Sequence, residues 1–155
     1  MVQEMALGLG PPESGAGVIQ FIDGTTGKAQ VTGRYRSQAQ GRDALEDGVG
    51  SLFLTKDPRG ASLEQHCPEI FAALLDMGAA CRTRLREEMQ IEFTLMDGEL
   101  FILDAVRCRR SARAEVEIAV TLARHGIITE AEALMRVAPP TLNQMLHRQI
   151  SPDAD

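Results

Sequence analysis

Apolar and polar positions change rhythm several times along the chain, and each rhythm predicts a different element. Val18 to Ile22 reads as a short strand and Lys28 to Tyr35 as its return, with Asp23-Gly24-Thr25-Thr26-Gly27 supplying the turn. Ile70, Phe71, Leu74, Met77, Cys81 and Leu85 recur at helical spacing and predict a helix reaching about Glu87. Ser62 with Gln65 is a capping-box pattern ahead of it, and Pro68 suits a first helical turn. Ile91, Phe93 and Leu95 alternate with Glu92 and Thr94 before Asp97-Gly98 turns the chain into Leu100-Phe101-Ile102-Leu103, a second hairpin. Ser111 can cap a helix whose stripe is Ala112, Val116, Ala119, Val120 and Ala123, ended by Gly126. Thr129 with Glu132 and Thr141 with Gln144 predict two short closing helices on either side of Pro139-Pro140.

Elsewhere the pattern is weaker. Val2 to Leu9 starts as a strand and dissolves into a loop through Gly8, Gly10, Pro11, Pro12, Gly15 and Gly17. Between Arg36 and Ala61 the apolar run Leu52-Phe53-Leu54 stands among glycines and prolines, and two readings stay open, a long functional loop or a tethering strand. With no repeat and no second core, residues 1–150 are expected to form a single domain, followed by a disordered tail at 151–155. The predicted fold class is α+β, antiparallel hairpins backed by helices.

Composition narrows the picture. Of 155 residues, 44% are hydrophobic and 25% charged, the balance of a soluble chain with a core. Aromatic residues make up 4% and Trp is absent, so the core rests on aliphatic residues and Met, with Met5, Met77 and Met145 expected inside. The net charge of -6 argues against a general nucleic-acid binder, which needs concentrated Lys and Arg. No apolar run approaches a bilayer span and no signal peptide opens the chain. Cys67, Cys81 and Cys108 are widely spaced and lack a neighbouring base, the usage of reduced thiols in a cytoplasmic protein without a nucleophilic cysteine. His66, His125 and His147 lie near predicted helix ends without metal-ligand spacing.

Several segments then fall into a known order. Val2-Gln3-Glu4-Met5, Ser14-Gly15-Ala16-Gly17-Val18, Ala39-Gln40-Gly41 and Glu92-Phe93-Thr94 resemble the nucleotide-binding region of pyruvate, phosphate dikinases. Gly126 to Ala133 and Leu142 to His147 resemble that family's helical close of the domain. The order and spacing carry the likeness, since each piece alone is a few common residues. The resemblance implies the C-terminal part of an ATP-grasp fold, beginning near the strand that contacts adenine. The front half of the domain, the phosphohistidine domain and the pyruvate-binding barrel would then lie outside this chain, and a partner chain or a second copy is expected to cover the surface they leave.

The same resemblance implies a Mg-ATP site. Gln3, Glu4 and Met5 would offer backbone groups to adenine, or serve only as an edge strand. Glu92 and Asp104 match the positions of the metal ligands, and oxygen donors suit hard Mg²⁺. A plain two-residue turn at Asp97-Gly98 would pair Glu92 with Leu103 and put Asp104 on the other face. A three-residue loop with Gly98 left-handed shifts the register by one, uniting Glu92 with Asp104 and gathering Ile91, Phe93, Leu95, Phe101 and Leu103 opposite them. The bulged hairpin is the expectation, with two readings of its acids: a metal site, or solvated strand residues.

Departures from the family pattern are as informative. Asp104 stands where an amide is usual, Val106 replaces an arginine, Arg34 a glutamate and Gln90 an acid. Each change removes metal or phosphate stabilisation, so no catalytic residue is assigned and the isolated chain is expected to be inactive, with nucleotide binding weak or lost. The alternative is a non-catalytic binding module or partner subunit. Arg107, Arg109, Arg110 and Arg113 form a dense basic cluster at a helix start, readable as a phosphate or acidic-partner site or as a solvated face.

Overall fold

A computed structural model describes residues 14–37, 51–137, 139, 140 and 143. The strands are β1 (Gly15–Ile22), β2 (Ala29–Ser37), β3 (Ser51–Leu52), β4 (Met89–Met96) and β5 (Glu99–Arg107). The helices are α1 (Leu63–His66), α2 (Pro68–Leu85), α3 (Ala112–Arg124) and α4 (Glu130–Arg136). The strands form one antiparallel sheet in the order β3-β2-β1-β4-β5, so the fold is α+β, with five strands and four helices among the described residues.

The first hairpin begins earlier than the glycine-rich sequence suggests, because Gly15 and Gly17 lie inside β1 rather than in a loop. Gly17 is flanked by Tyr35 on β2 and Phe93 on β4. Those two rings lie parallel with centroids 6.0 Å apart. A Cβ on Gly17 would sit 2.6 Å from the Phe93 ring, and one on Gly15 would sit 2.6 Å from the Tyr35 hydroxyl. Glycine is therefore a packing requirement here, with neighbouring aromatics filling the space its missing side chain leaves.

The main core lies on the face shared by Ile19, Tyr35, Ile91, Phe93 and Leu95, against Leu54, Leu63, Phe71 and Leu74. Along α2 the buried positions are Phe71, Leu74 and Gly78. Met77 and Leu85, expected in the stripe, are 36% and 51% exposed. The stripe turns toward Gly78 because the Phe21 ring sits on that glycine, where a Cβ would meet it at 2.2 Å. The single predicted helix is two: Ser62 caps α1 by accepting from the Gln65 amide at 3.3 Å, and Pro68 opens α2. The stretch before them is partly strand, since β3 pairs with β2 and Phe53 bridges Ser62.

Contrary to the expectation of one core, a second cluster joins Ile22, Cys108, Ala114, Ile118, Leu122 and Ile128 beneath α3. Ser111 caps α3 from Ala114 N at 3.1 Å, and Gly126 beyond its end has φ 68°, as the sequence predicts. Of the predicted stripe, Ala119 joins the buried side of α3, with Ala114, Ile118 and Leu122. Val116, Val120 and Ala123 instead line an open groove against α4. Thr129 caps α4 from the Glu132 amide at 3.1 Å. Val2–Leu9, Met5, the Thr141 cap, Met145, His147 and the tail at 151–155 lie outside the described residues.

Candidate functional site

The second hairpin reaches the predicted juxtaposition by another route. Met96 pairs with Glu99 across a two-residue turn whose Asp97 and Gly98 have φ of 53° and 80°, both left-handed. No third residue enters the turn. The register slips deeper in the ladder, where Phe93 pairs with Ile102 and Glu92 with Asp104, leaving Leu103 as the extra residue of a bulge. The bulge reassigns the apolar side of β5: Leu100, Ile102 and Ala105 pack on the main core, whereas Phe101 lies opposite Thr94 and Leu103 is 46% exposed.

Directly paired residues share a face of the sheet, so the register builds the candidate site row by row. One row reads Arg34, Val18, Glu92, Asp104 across β2, β1, β4 and β5. The next reads Thr32, Gln20, Gln90, Val106. On the other side lies Arg36, Ala16, Thr94, Phe101. All four positions singled out as departures thus share the face of Glu92, opposite the α2 core. Two guanidinium-bearing residues stand on β2 and two carboxylates on β4 and β5. One Asp104 oxygen accepts from the Ala105 amide at 2.8 Å.

Glu92 and Asp104 stand opposite each other in one row, and carboxylate oxygens are the donor type that Mg²⁺ takes alongside waters or phosphate oxygens. Among the described residues, no group of three or more His, Cys, Asp and Glu is placed to hold a metal ion. Gln3, Glu4 and Met5, the candidate adenine strand, lie outside the described residues.

The arginine cluster is divided. Arg107 donates to Glu87 at 3.1 Å and to Glu115 at 3.2 Å. Arg110, its side chain 7% exposed, donates to Glu87 at 2.9 Å and to the carbonyls of Cys108 and Glu88. These two tie the end of β5 to the start of β4, so they do not form a free anion site. Sequence reading missed their partner, Glu87, because nothing in the local pattern marks it. The signal was three-dimensional: α2 stops at Arg86, a non-glycine residue at φ 56°, which releases Glu87 toward the arginines. Burial pushes the Glu87 carboxyl up, but the Glu88 amide and the Arg110 and Arg107 guanidiniums outweigh it and hold the group below its ordinary value. Arg86 itself reaches Glu132 on α4 at 2.6 Å.

The cysteines are free. Cys67 and Cys81 pack against the main core, and burial pushes the Cys108 thiol up to about 11, which keeps it protonated at neutral pH. His66 ends α1 and His125 caps α3, the helix-end positions expected of them. No described helix is long and apolar enough to cross a membrane.

No protein-family profile matches the chain. Against pyruvate, phosphate dikinase of Rhizobium meliloti strain 1021 it is 33% identical over 159 aligned positions, which cover 99% of this chain and 18% of that protein. The chain is homologous to part of pyruvate, phosphate dikinase. The dikinase of Clostridium symbiosum is likewise 33% identical, over 99% of this chain and 17% of its own length, and that of Rickettsia typhi 30% identical over 96% and 17%. The chain therefore spans less than a fifth of the dikinases it matches. At this coverage the likeness runs through both hairpins and the helices α1 to α4.

Proposed function

We propose that this chain is a non-catalytic, dikinase-derived binding module, the C-terminal portion of an ATP-grasp nucleotide site that keeps a weak Mg-nucleotide contact at Glu92 and Asp104. The observation that carries the reading is the cross-strand row in which these carboxylates face each other, with Val18 and then Arg34 continuing it across β1 and β2. Glu92 and Asp104 would hold the cation, and the cation would screen the phosphates. The rest of the face argues against turnover. Val106 offers no guanidinium to a transferring phosphoryl group, Gln90 no charge, and Arg34 brings a cation where an acid would help to hold metal. A partner chain or a second copy completing the nucleotide site belongs to the same proposal.

Calorimetric titration with ATP, with and without Mg²⁺, tests it. The expected result is weak binding that requires Mg²⁺, is abolished by Glu92→Ala and is accompanied by no release of phosphate. Absence of binding at millimolar Mg-ATP, or binding indifferent to Glu92→Ala, would overturn the site; phosphoryl transfer by the purified chain would overturn the loss of catalysis. A parallel reading, in which the ancestral phosphotransferase activity of the dikinases persists, rests on Glu92 alone.

A further inference from the structure

A half-enclosed cavity of about 250 Å³ opens between α2, the first hairpin and α3, with walls that include Phe21, Leu75, Gly78, Ala79 and Thr121. It lies on the α2 side of the sheet, away from the Glu92 face. Most of its lining is apolar, but one wall carries Arg82, Glu88 and His125. Arg82 Nε donates to Glu88 Oε1 at 2.5 Å, with the two side chains 23% and 6% exposed. Its Nη2 lies 3.1 Å from His125 Nδ1. A guanidinium has no acceptor and does not deprotonate, so this ring nitrogen must accept and the imidazole proton sits on Nε2.

Arg82 is thus clamped from two sides, by a carboxylate from the strand entry and by the capping histidine of α3. Among the described residues, nothing accepts from its Nη1. No buried side-chain nitrogen or oxygen among them lacks a partner, so Nη1 is open to solvent. An oriented guanidinium with free donors at the edge of an apolar cavity recognises a planar anion, and the order already imposed on it lowers the cost of binding.

We propose that this cavity binds a small monocarboxylate with an apolar body. The carboxylate would lie on Arg82 Nη1 and the body against Phe21, Leu75 and Ala79. Two observations limit the class. The volume falls below the roughly 300–1,000 Å³ of sites for drug-sized ligands, which restricts the body to about a single ring or a short chain. Glu88 already neutralises much of Arg82, which disfavours a dianion such as phosphate.

Benzoate is the probe, titrated into the full chain by calorimetry and by two-dimensional amide NMR, with benzamide and acetate as controls. Saturable shifts concentrated at Phe21, Gly78 and Thr121 are expected, with benzamide and acetate each weaker by about tenfold or more. Ala79→Leu, a change on an exposed turn of α2 that fills the cavity, should weaken benzoate by about tenfold or more with the melting temperature preserved. Replacing both charges together, Arg82→Gln with Glu88→Gln, leaves neither ion buried alone and should erase the preference for benzoate over benzamide. The proposal fails if no saturable shifts appear at the cavity, if benzamide binds as well as benzoate, or if Ala79→Leu binds undiminished. Should the double variant not fold, the benzamide and Ala79→Leu comparisons still decide.

Discussion

The two faces of the sheet are built from alternate residues of the same strands, yet they obey different rules. On the α2 side, Ile91, Phe93 and Leu95 are fully buried and their neighbours are dictated by volume, to the point that Gly17 must have no side chain beneath Phe93. On the other side, Glu92 and Asp104 remain partly or fully exposed and no packing constraint names them. The packed face defines the fold, whereas Glu92 and Asp104 on the charged face, where the proposed nucleotide contact would lie, are free of that constraint. The departures Arg34, Gln90 and Val106 all fall on the second face, so under the proposed loss of catalysis the fold and the site would change independently.

That contrast can be broken or sharpened by substitution. Phe93→Ala should cost about 3–5 kcal/mol in urea unfolding, the scale for an aromatic ring lost from a core; a cost near zero would remove the distinction between the faces. Gly17→Ala should destabilise by about 1–3 kcal/mol through overpacking, because its Cβ would lie 2.6 Å from both the Phe93 ring and the Arg34 carbonyl oxygen.

A smaller effect compares a tied carboxylate with a free face. Glu87 titrates below its ordinary value near 4.5 in the folded chain, so its stabilising contribution is present above that value and disappears as pH falls through the lower folded one. Glu87→Gln should therefore be less stable than the parent at neutral pH, with the gap closing as the pH falls below the ordinary carboxylate range in paired urea titrations. A gap that stays constant with pH would mean that the ion pairs with Arg107 and Arg110 contribute nothing through charge.

Much of this architecture is legible in the sequence where a local rule dominates. Alternation from Ile91 to Leu95 and the caps at Ser62, Ser111 and Thr129 each depend on a few neighbouring residues, and each has the expected form; the turn falls at Asp97-Gly98 as expected, but with two residues in place of three. What escaped was set by distant contacts. Gly15 and Gly17 look like loop residues until Tyr35 and Phe93 arrive from other strands. Met77 looks like core until Phe21 claims Gly78. Arg107 and Arg110 look like an anion site until Glu87 meets them from the far end of α2. For the candidate site the pairing of Glu92 with Asp104 was legible, but its cause was misplaced: alternation shows that a register shift is needed and cannot say at which residue of β5 it occurs.

Leu103 also changes how this strand must be counted. Before it, even-numbered residues of β5 turn inward; after it, odd-numbered ones do, as Leu100 and Ile102 on one side and Ala105 on the other demonstrate. The strand has two phases joined at a single residue, so any recoding of it has to be planned from both ends. Deleting Leu103 would merge the phases while leaving every cross-strand partner of β4 on β5 in place, which makes this residue the position where the chain length of the hairpin is decoupled from who faces whom.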